Sequence, residues 1–160
     1  MKMTSVTDLE EERDVFTAIE ATSRSLPIAL LRAREKLMVE IRPVLQRAGV
    51  TEQQWRVLRV LKEGGVLEPS EIAEQSCLLL PSLTRILKHL ETLCYIDRHP
   101  HATDKRRFLF SITPLGSSLI EKYAAENHRV IARLRDKLGQ EKSQLLISLL
   151  QEVSTLELND

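Results

Sequence analysis

Aromatic side chains are scarce in this 160-residue chain: one Trp, two Tyr and three Phe, 4% in all. Leucine is abundant in their place, a balance that points to packed helices. No apolar run approaches the roughly 20 residues needed to cross a bilayer, so no membrane partner is expected. The N-terminus carries Asp8, Glu10, Glu11, Glu12 and Asp14, without the cationic start and apolar stretch of a secretory signal, so the chain is expected in the cytoplasm. There are only two cysteines, Cys77 and Cys94, without CxxC spacing, which argues against a structural disulfide. His89, His99 and His101 lack the neighbouring Cys or acidic cluster of a zinc site, so neither metal nor cofactor is expected. Nucleophile elbows, phosphate loops and metalloprotease helices are missing too, which excludes the common enzyme motifs. Internal repeats and low-complexity tracts are likewise missing.

An excess of charge of one sign is also lacking: 23 Lys and Arg balance 23 Asp and Glu. Zero net charge would ordinarily argue against nucleic acid, but the charge is segregated. Residues 81–107 hold six Lys/Arg against three Asp/Glu, and residues 1–25 hold three against six. A nucleic-acid footprint needs only a local basic face.

That basic region has an order of its own. Residues 68–116 open with a short helix pattern, Pro69 to Glu74, followed by a second helix pattern, Pro81 to Glu91. Two strand-like runs come next, Tyr95 to His99 and Phe108 to Ile112, around a loop ending Asp104-Lys105-Arg106-Arg107. Two short helices and a hairpin with a basic tip make a winged helix-turn-helix, which reads duplex DNA.

The second helix pattern carries the recognition chemistry. At helical spacing Leu83, Ile86, Leu87, Leu90 and Cys94 share one face, and Pro81, Thr84, Arg85, Lys88 and Thr92 share the other, with Ser82 and His89 at its edges. N-terminal residues of a recognition helix meet base edges, and Arg grips guanine O6 and N7 with two hydrogen bonds. An ordinary amphipathic surface helix also carries Lys and Arg, so this face alone does not decide. The hairpin adds weight. Phe108, Phe110 and Ile112 alternate with Leu109 and Ser111, and Lys105, Arg106 and Arg107 crowd a loop suited to phosphates or a minor groove. Asp104 is expected to fix one of these arginines by an ion pair. A solvated charge run is the alternative for the triplet. The DNA-contact set is thus Pro81, Ser82, Thr84, Arg85, Lys88, His89, Asp104, Lys105, Arg106 and Arg107.

The stretch resembles the MarR family of bacterial transcription regulators, whose wing bears D-x-R followed by a strand and LT-x-x-G. Here these are Asp104-Lys105-Arg106, Phe108 to Ile112, and Thr113-Pro114-Leu115-Gly116. The resemblance covers roughly residues 26–157 and is nearest to the HpaR-like branch, which controls homoprotocatechuate (aromatic acid) breakdown. Residues 29–35, 51–56 and 80–84 carry it. Two departures stand out: Cys94 where the family often has a helix-ending glycine, and Leu80 where a polar residue is usual. The resemblance implies a ligand-responsive regulator, a repressor of an aromatic-acid catabolic operon. Two alternatives remain: a winged-helix protein-interaction module without DNA readout, or a cysteine-based redox regulator using Cys77.

Around this module the chain reads as helical, so the fold class is mostly α with a small β-hairpin wing and long flanking helices. Residues 1–25 form an acidic arm, with a helix expected from Asp8 to Ala21, and residues 26–160 form a single domain. A long helix is expected from Leu26 to Ala48, closed by Gly49. Thr51 to Gln54 is a capping box opening the helix of Trp55, Leu58 and Leu61, which Gly64-Gly65 ends. Val66-Leu67 is positioned to add a third short strand to the wing. Thr113 caps a helix to Leu138, and after Gly139 a last helix carries Leu145, Leu146, Leu149, Leu150, Val153 and Leu156. The flanking helices have more apolar surface than a small winged domain covers. A homodimer on a pseudo-palindromic site would cover it and set two recognition helices roughly 34 Å apart. An intramolecular helical bundle is the competing reading.

One cation sits oddly. On the first long helix Leu30, Ala33, Leu37, Ile41 and Val44 define the apolar stripe, and Arg34 projects only about 40° from Leu30. A cation there needs an anionic partner, a carboxylate of the protein or an acidic ligand. Snorkelling into water is the plainer outcome. Because the resemblance implies small aromatic-acid effectors, Arg34 and Trp55 are the candidate ligand residues, Arg34 for the carboxylate and Trp55 as a stacking wall.

Overall fold

A computed structural model of the chain describes residues 25–104 and 106–157. The expected helix from Asp8 to Ala21 and the side chain of Lys105 lie outside the described residues. Among those described there are six helices and one two-stranded sheet: α1 (Leu26–Ala48), α2 (Glu52–Gly64), α3 (Pro69–Gln75), α4 (Leu80–Thr92), β1 (Ile96–Pro100), β2 (Phe108–Ile112), α5 (Pro114–Leu138) and α6 (Gln140–Thr155). By its internal contacts the chain divides into residues 1–39 and 40–160. Within the first unit the described part is the N-terminal stretch of α1, and everything else belongs to the second.

The local signals act where the sequence places them. Gly49 adopts φ +71° and ends α1: its N–H reaches the Gln46 carbonyl and that of Val50 reaches Leu45. Thr51 opens α2 by a reciprocal pair, the Gln54 N–H donating to its hydroxyl (3.2 Å) and its own N–H to the Gln54 side-chain carbonyl (2.8 Å). Thr113 caps α5 by accepting from the Gly116 N–H at 3.1 Å. Gly116 itself is obligatory, because a Cβ there would run into the Tyr95 carbonyl oxygen.

The core of the second unit collects Val57, Leu58 and Leu61 of α2, Ile72 of α3, Leu83 and Leu90 of α4, and Ile96 of β1, all essentially inaccessible. These are the apolar faces that period 3.6 selects. The hairpin pairs antiparallel with Arg98 opposite Phe110 and Pro100 opposite Phe108. The anticipated third strand is reduced to one bridge, where Leu67 and Phe110 exchange both hydrogen bonds, at 3.0 and 2.8 Å.

Cys94 corrects the sequence reading. Helical spacing puts it on the apolar face of the second helix pattern, but the helix ends at Thr92, and Cys94 lies beyond it, exposed, at φ +58°. Cys77 does the same after α3, exposed at φ +51°. Both occupy the left-handed position that usually belongs to glycine. The same pair of main-chain bonds closes both helices. Cys94 N–H bonds Glu91 and Tyr95 N–H bonds Leu90, while Cys77 N–H bonds Glu74 and Leu78 N–H bonds Ala73.

Candidate nucleic-acid interface

The outer face of α4 is open. Leu83, Ile86, Leu87 and Leu90 are buried, whereas Pro81, Thr84, Arg85, Lys88 and His89 are exposed and Ser82 is half-buried. The Thr84 hydroxyl donates back to the Leu80 carbonyl at 3.0 Å, which leaves its lone pairs outward. α4 lies against the hairpin, and between them runs a groove of about 700 Å³ bordered by Leu80, Thr84, Lys88, Arg98, Arg106 and Phe108.

The wing is held by three carboxylate contacts. Asp104 accepts the Arg106 main-chain N–H at 3.0 Å and its guanidinium Nε at 3.3 Å. The main-chain bond is the larger cause holding the Asp104 carboxyl below its usual range. It sets the turn while the Arg106 side chain stays 92% exposed, free to meet a phosphate. Arg107 is used differently. It pairs with Glu68, the residue preceding α3, and this bond is the first cause of the lowered Glu68 pKa and of the raised Arg107 pKa. His101 stands 3.8 Å from the same carboxylate. The Glu68 N–H is in turn bonded to Glu71 at 2.7 Å, which anchors it to the first turn of α3.

Among the residues foreseen as DNA contacts, Pro81, Ser82, Thr84, Arg85, Lys88 and His89 therefore lie on one helix. Asp104, Arg106 and Arg107 lie on the wing beside it, with Arg107 turned back towards Glu68. Two participants were not foreseen. Glu68 carries no sequence signal beyond preceding Pro69. Arg98 does: by period two it shares the inward face of β1 with Ile96, an odd place for a cation. The Arg98 guanidinium lies 3.4 Å from the centre of the Phe108 ring, so its charge is delivered at the groove while its plane covers an otherwise half-open aromatic. His99, the last residue of the strand-like run that begins at Tyr95, bonds Ser111 across the sheet at 2.8 Å.

The residues foreseen for a ligand lie in different units. Arg34 is half-exposed on α1 and bonds Glu35 at 2.7 Å. Trp55 is buried in α2, 8% exposed, directly after the capping box that fixes its backbone.

With this geometry in place, similarity to known proteins is decisive. The sequence profile of the MarR family matches residues 50–108, from the connection between α1 and α2 to the first residue of β2. The chain is 40% identical over 133 residues to the transcriptional regulator FarR of Neisseria gonorrhoeae, spanning 83% of this chain and 91% of that one. The chain belongs to the MarR family. It is also 36% identical over 132 residues to the homoprotocatechuate degradative operon repressor of Escherichia coli, covering 82% of this chain and 89% of that protein. The solved structure of NadR in complex with 4-hydroxyphenylacetate superposes with a TM-score of 0.77 at 38% identity, over 87% of this chain and 99% of NadR. These relatives are transcriptional regulators, and the winged-helix fold of this MarR protein is theirs. No described helix is long and apolar enough to cross a membrane.

Proposed function

We propose that this MarR-family protein is a ligand-responsive repressor that binds a pseudo-palindromic operator as a homodimer and controls genes of aromatic-acid catabolism. The observation that carries the DNA reading is the open face of α4, with Thr84, Arg85 and Lys88 outward and Arg98 and Arg106 presented from the adjoining hairpin. Hydroxyl and guanidinium groups near the helix start suit base edges, and the flanking cations suit the two phosphate backbones.

Dimerisation is supported by α6, which has no buried residue. Its Leu145, Leu146, Leu149, Leu150 and Val153, with Leu156 just beyond its end, are each 41–59% exposed, and clustered apolar exposure of this kind marks an association surface. A second copy of the chain is the occupant that the twofold symmetry of an operator calls for.

The effector we assign is a small aromatic carboxylate, with Arg34 the candidate for meeting its carboxylate and Trp55 the candidate for meeting its ring, each taken on its own unit. The similarity to the homoprotocatechuate operon repressor, and to NadR solved with 4-hydroxyphenylacetate, supports that ligand class. A ligand acts only through unequal affinity for the DNA-competent and DNA-free states. The test is a gel shift of the full-length protein on the intergenic duplexes beside its own gene, repeated with 4-hydroxyphenylacetate. Saturable binding at low micromolar protein, relieved by the acid, is expected. Binding that the acid leaves unchanged overturns the effector, and no preference over random duplex overturns the repressor.

A further inference from the structure

Resting on the reading of α4 as a recognition helix, we propose that Leu79 and Leu80 form an apolar tip that reads the C5-methyl groups of thymines in the major groove of the operator. Leu79 is 78% exposed, more than any other large apolar residue described. Leu80 beside it is 51% exposed. Scattered exposed leucines need no explanation, but this one violates a second local rule. Leu79 is the N-cap of α4, and no side-chain hydrogen bond caps the helix there. Ser, Thr, Asp and Asn are the residues that satisfy this position, as Thr51 and Thr113 do for α2 and α5.

The chain thus forgoes a cap and leaves a leucine in water at the same residue. Departures from local consistency concentrate where function overrides stability. The place is informative. The N-terminal residues of a recognition helix are those that reach base edges, and Leu80 continues along the helix into Thr84 and Lys88, which border the same groove. The surrounding charge, Arg85, Lys88, Arg98 and Arg106 against Glu91, with Glu68 taken up by Arg107, is net positive and matches a polyanion and not an apolar protein partner. Within the major groove the one apolar feature of a base pair is the thymine methyl, which marks the strand as well as the pair. The tip therefore adds a sequence preference that Arg85 and Lys88, as hydrogen-bond donors, cannot supply.

The test begins with duplexes selected by the full-length protein from a random pool. Each thymine of the best duplex is then replaced singly by deoxyuridine, which removes only the methyl group. At one or two positions in each half-site the replacement is expected to weaken binding about fourfold, the worth of burying one methyl. In Leu79→Ser and Leu80→Ala proteins that penalty shrinks towards onefold. Leu79→Ser should also raise the unfolding midpoint, because it restores a cap, so weaker discrimination cannot be attributed to a damaged fold. Equal binding of thymine and deoxyuridine duplexes at every position overturns the inference alone. So does a methyl penalty undiminished in both variants. Failure to select any duplex overturns the recognition-helix reading and this inference with it.

Discussion

Glu68 and Arg107 join the two parts of the winged-helix module, the carboxylate at the start of α3 pairing with the guanidinium at the foot of the wing. The contact spans 39 positions in sequence, and it converts a cation that reads as a phosphate ligand into a brace. Together with the Leu67–Phe110 bridge it sets where the wing stands relative to α3 and α4.

The brace has a definite pH response. Glu68 and Asp104 both have lowered pKa values, Glu68 chiefly through Arg107 and Asp104 chiefly through the Arg106 main-chain N–H. A depressed carboxylate stabilises the folded form above its unfolded pKa and loses that contribution as pH falls through the folded value. Wing order should therefore be constant around neutrality and decline only below the ordinary carboxylate range. Carboxyl-carbon NMR should place the Glu68 midpoint below that range and return it upward in Arg107→Ala. An unchanged midpoint in that variant would remove the brace.

The two exposed arginines should differ in kind. Arg85→Ala should cost about 1–3 kcal/mol on the selected duplex and relax the preference for one base pair. Arg106→Ala should weaken all duplexes alike and reduce the salt slope by about 1. Titrations at three salt concentrations separate the two outcomes. Full affinity in a folded Arg106→Ala protein would remove the wing from the interface.

Cys77 and Cys94 occupy left-handed helix ends at φ +51° and +58°. Replacing either by glycine should stabilise the fold by roughly 0.5–1 kcal/mol, relief of backbone strain outweighing the added freedom of the unfolded chain. Thermal unfolding is the measurement, and a lower midpoint for both variants would contradict it.

Gly116→Ala should act in the opposite direction. The added methyl meets the Tyr95 carbonyl oxygen and the Ile112 Cγ1, at 2.9 Å from the latter, and the first of these is backbone that cannot turn aside. A loss of about 1–3 kcal/mol is expected from such overpacking, read as a lower denaturant midpoint.

Arg34→Ala should abolish binding of 4-hydroxyphenylacetate by calorimetry while operator affinity in the absence of the acid is retained. Trp55→Leu should weaken binding of the acid, and because it removes buried volume its cost in stability is read separately as a lower thermal midpoint. If the Arg34 variant binds the acid as tightly as the parent, the arginine has a structural role alone.

What the sequence by itself determined is the set of elements and their order. Gly49, Thr51, Gly65, Thr113 and Gly139 act through their own backbone angles or through hydrogen bonds three or four residues long, so their effect is written locally. The buried face of α4 follows for the same reason, because helical period alone selects Leu83, Ile86, Leu87 and Leu90. The exposed face of α4, proposed to meet DNA, was legible to that extent. Only tertiary structure decided what each cation does. Arg106 points outward, Arg107 turns to Glu68, and Arg98 lies over Phe108, three fates for one residue type within ten positions. It also decided that Cys94 leaves the apolar face, since α4 stops two residues earlier at a left-handed turn. Such outcomes depend on which distant backbone passes within a few ångströms, and no periodicity in the chain encodes that distance.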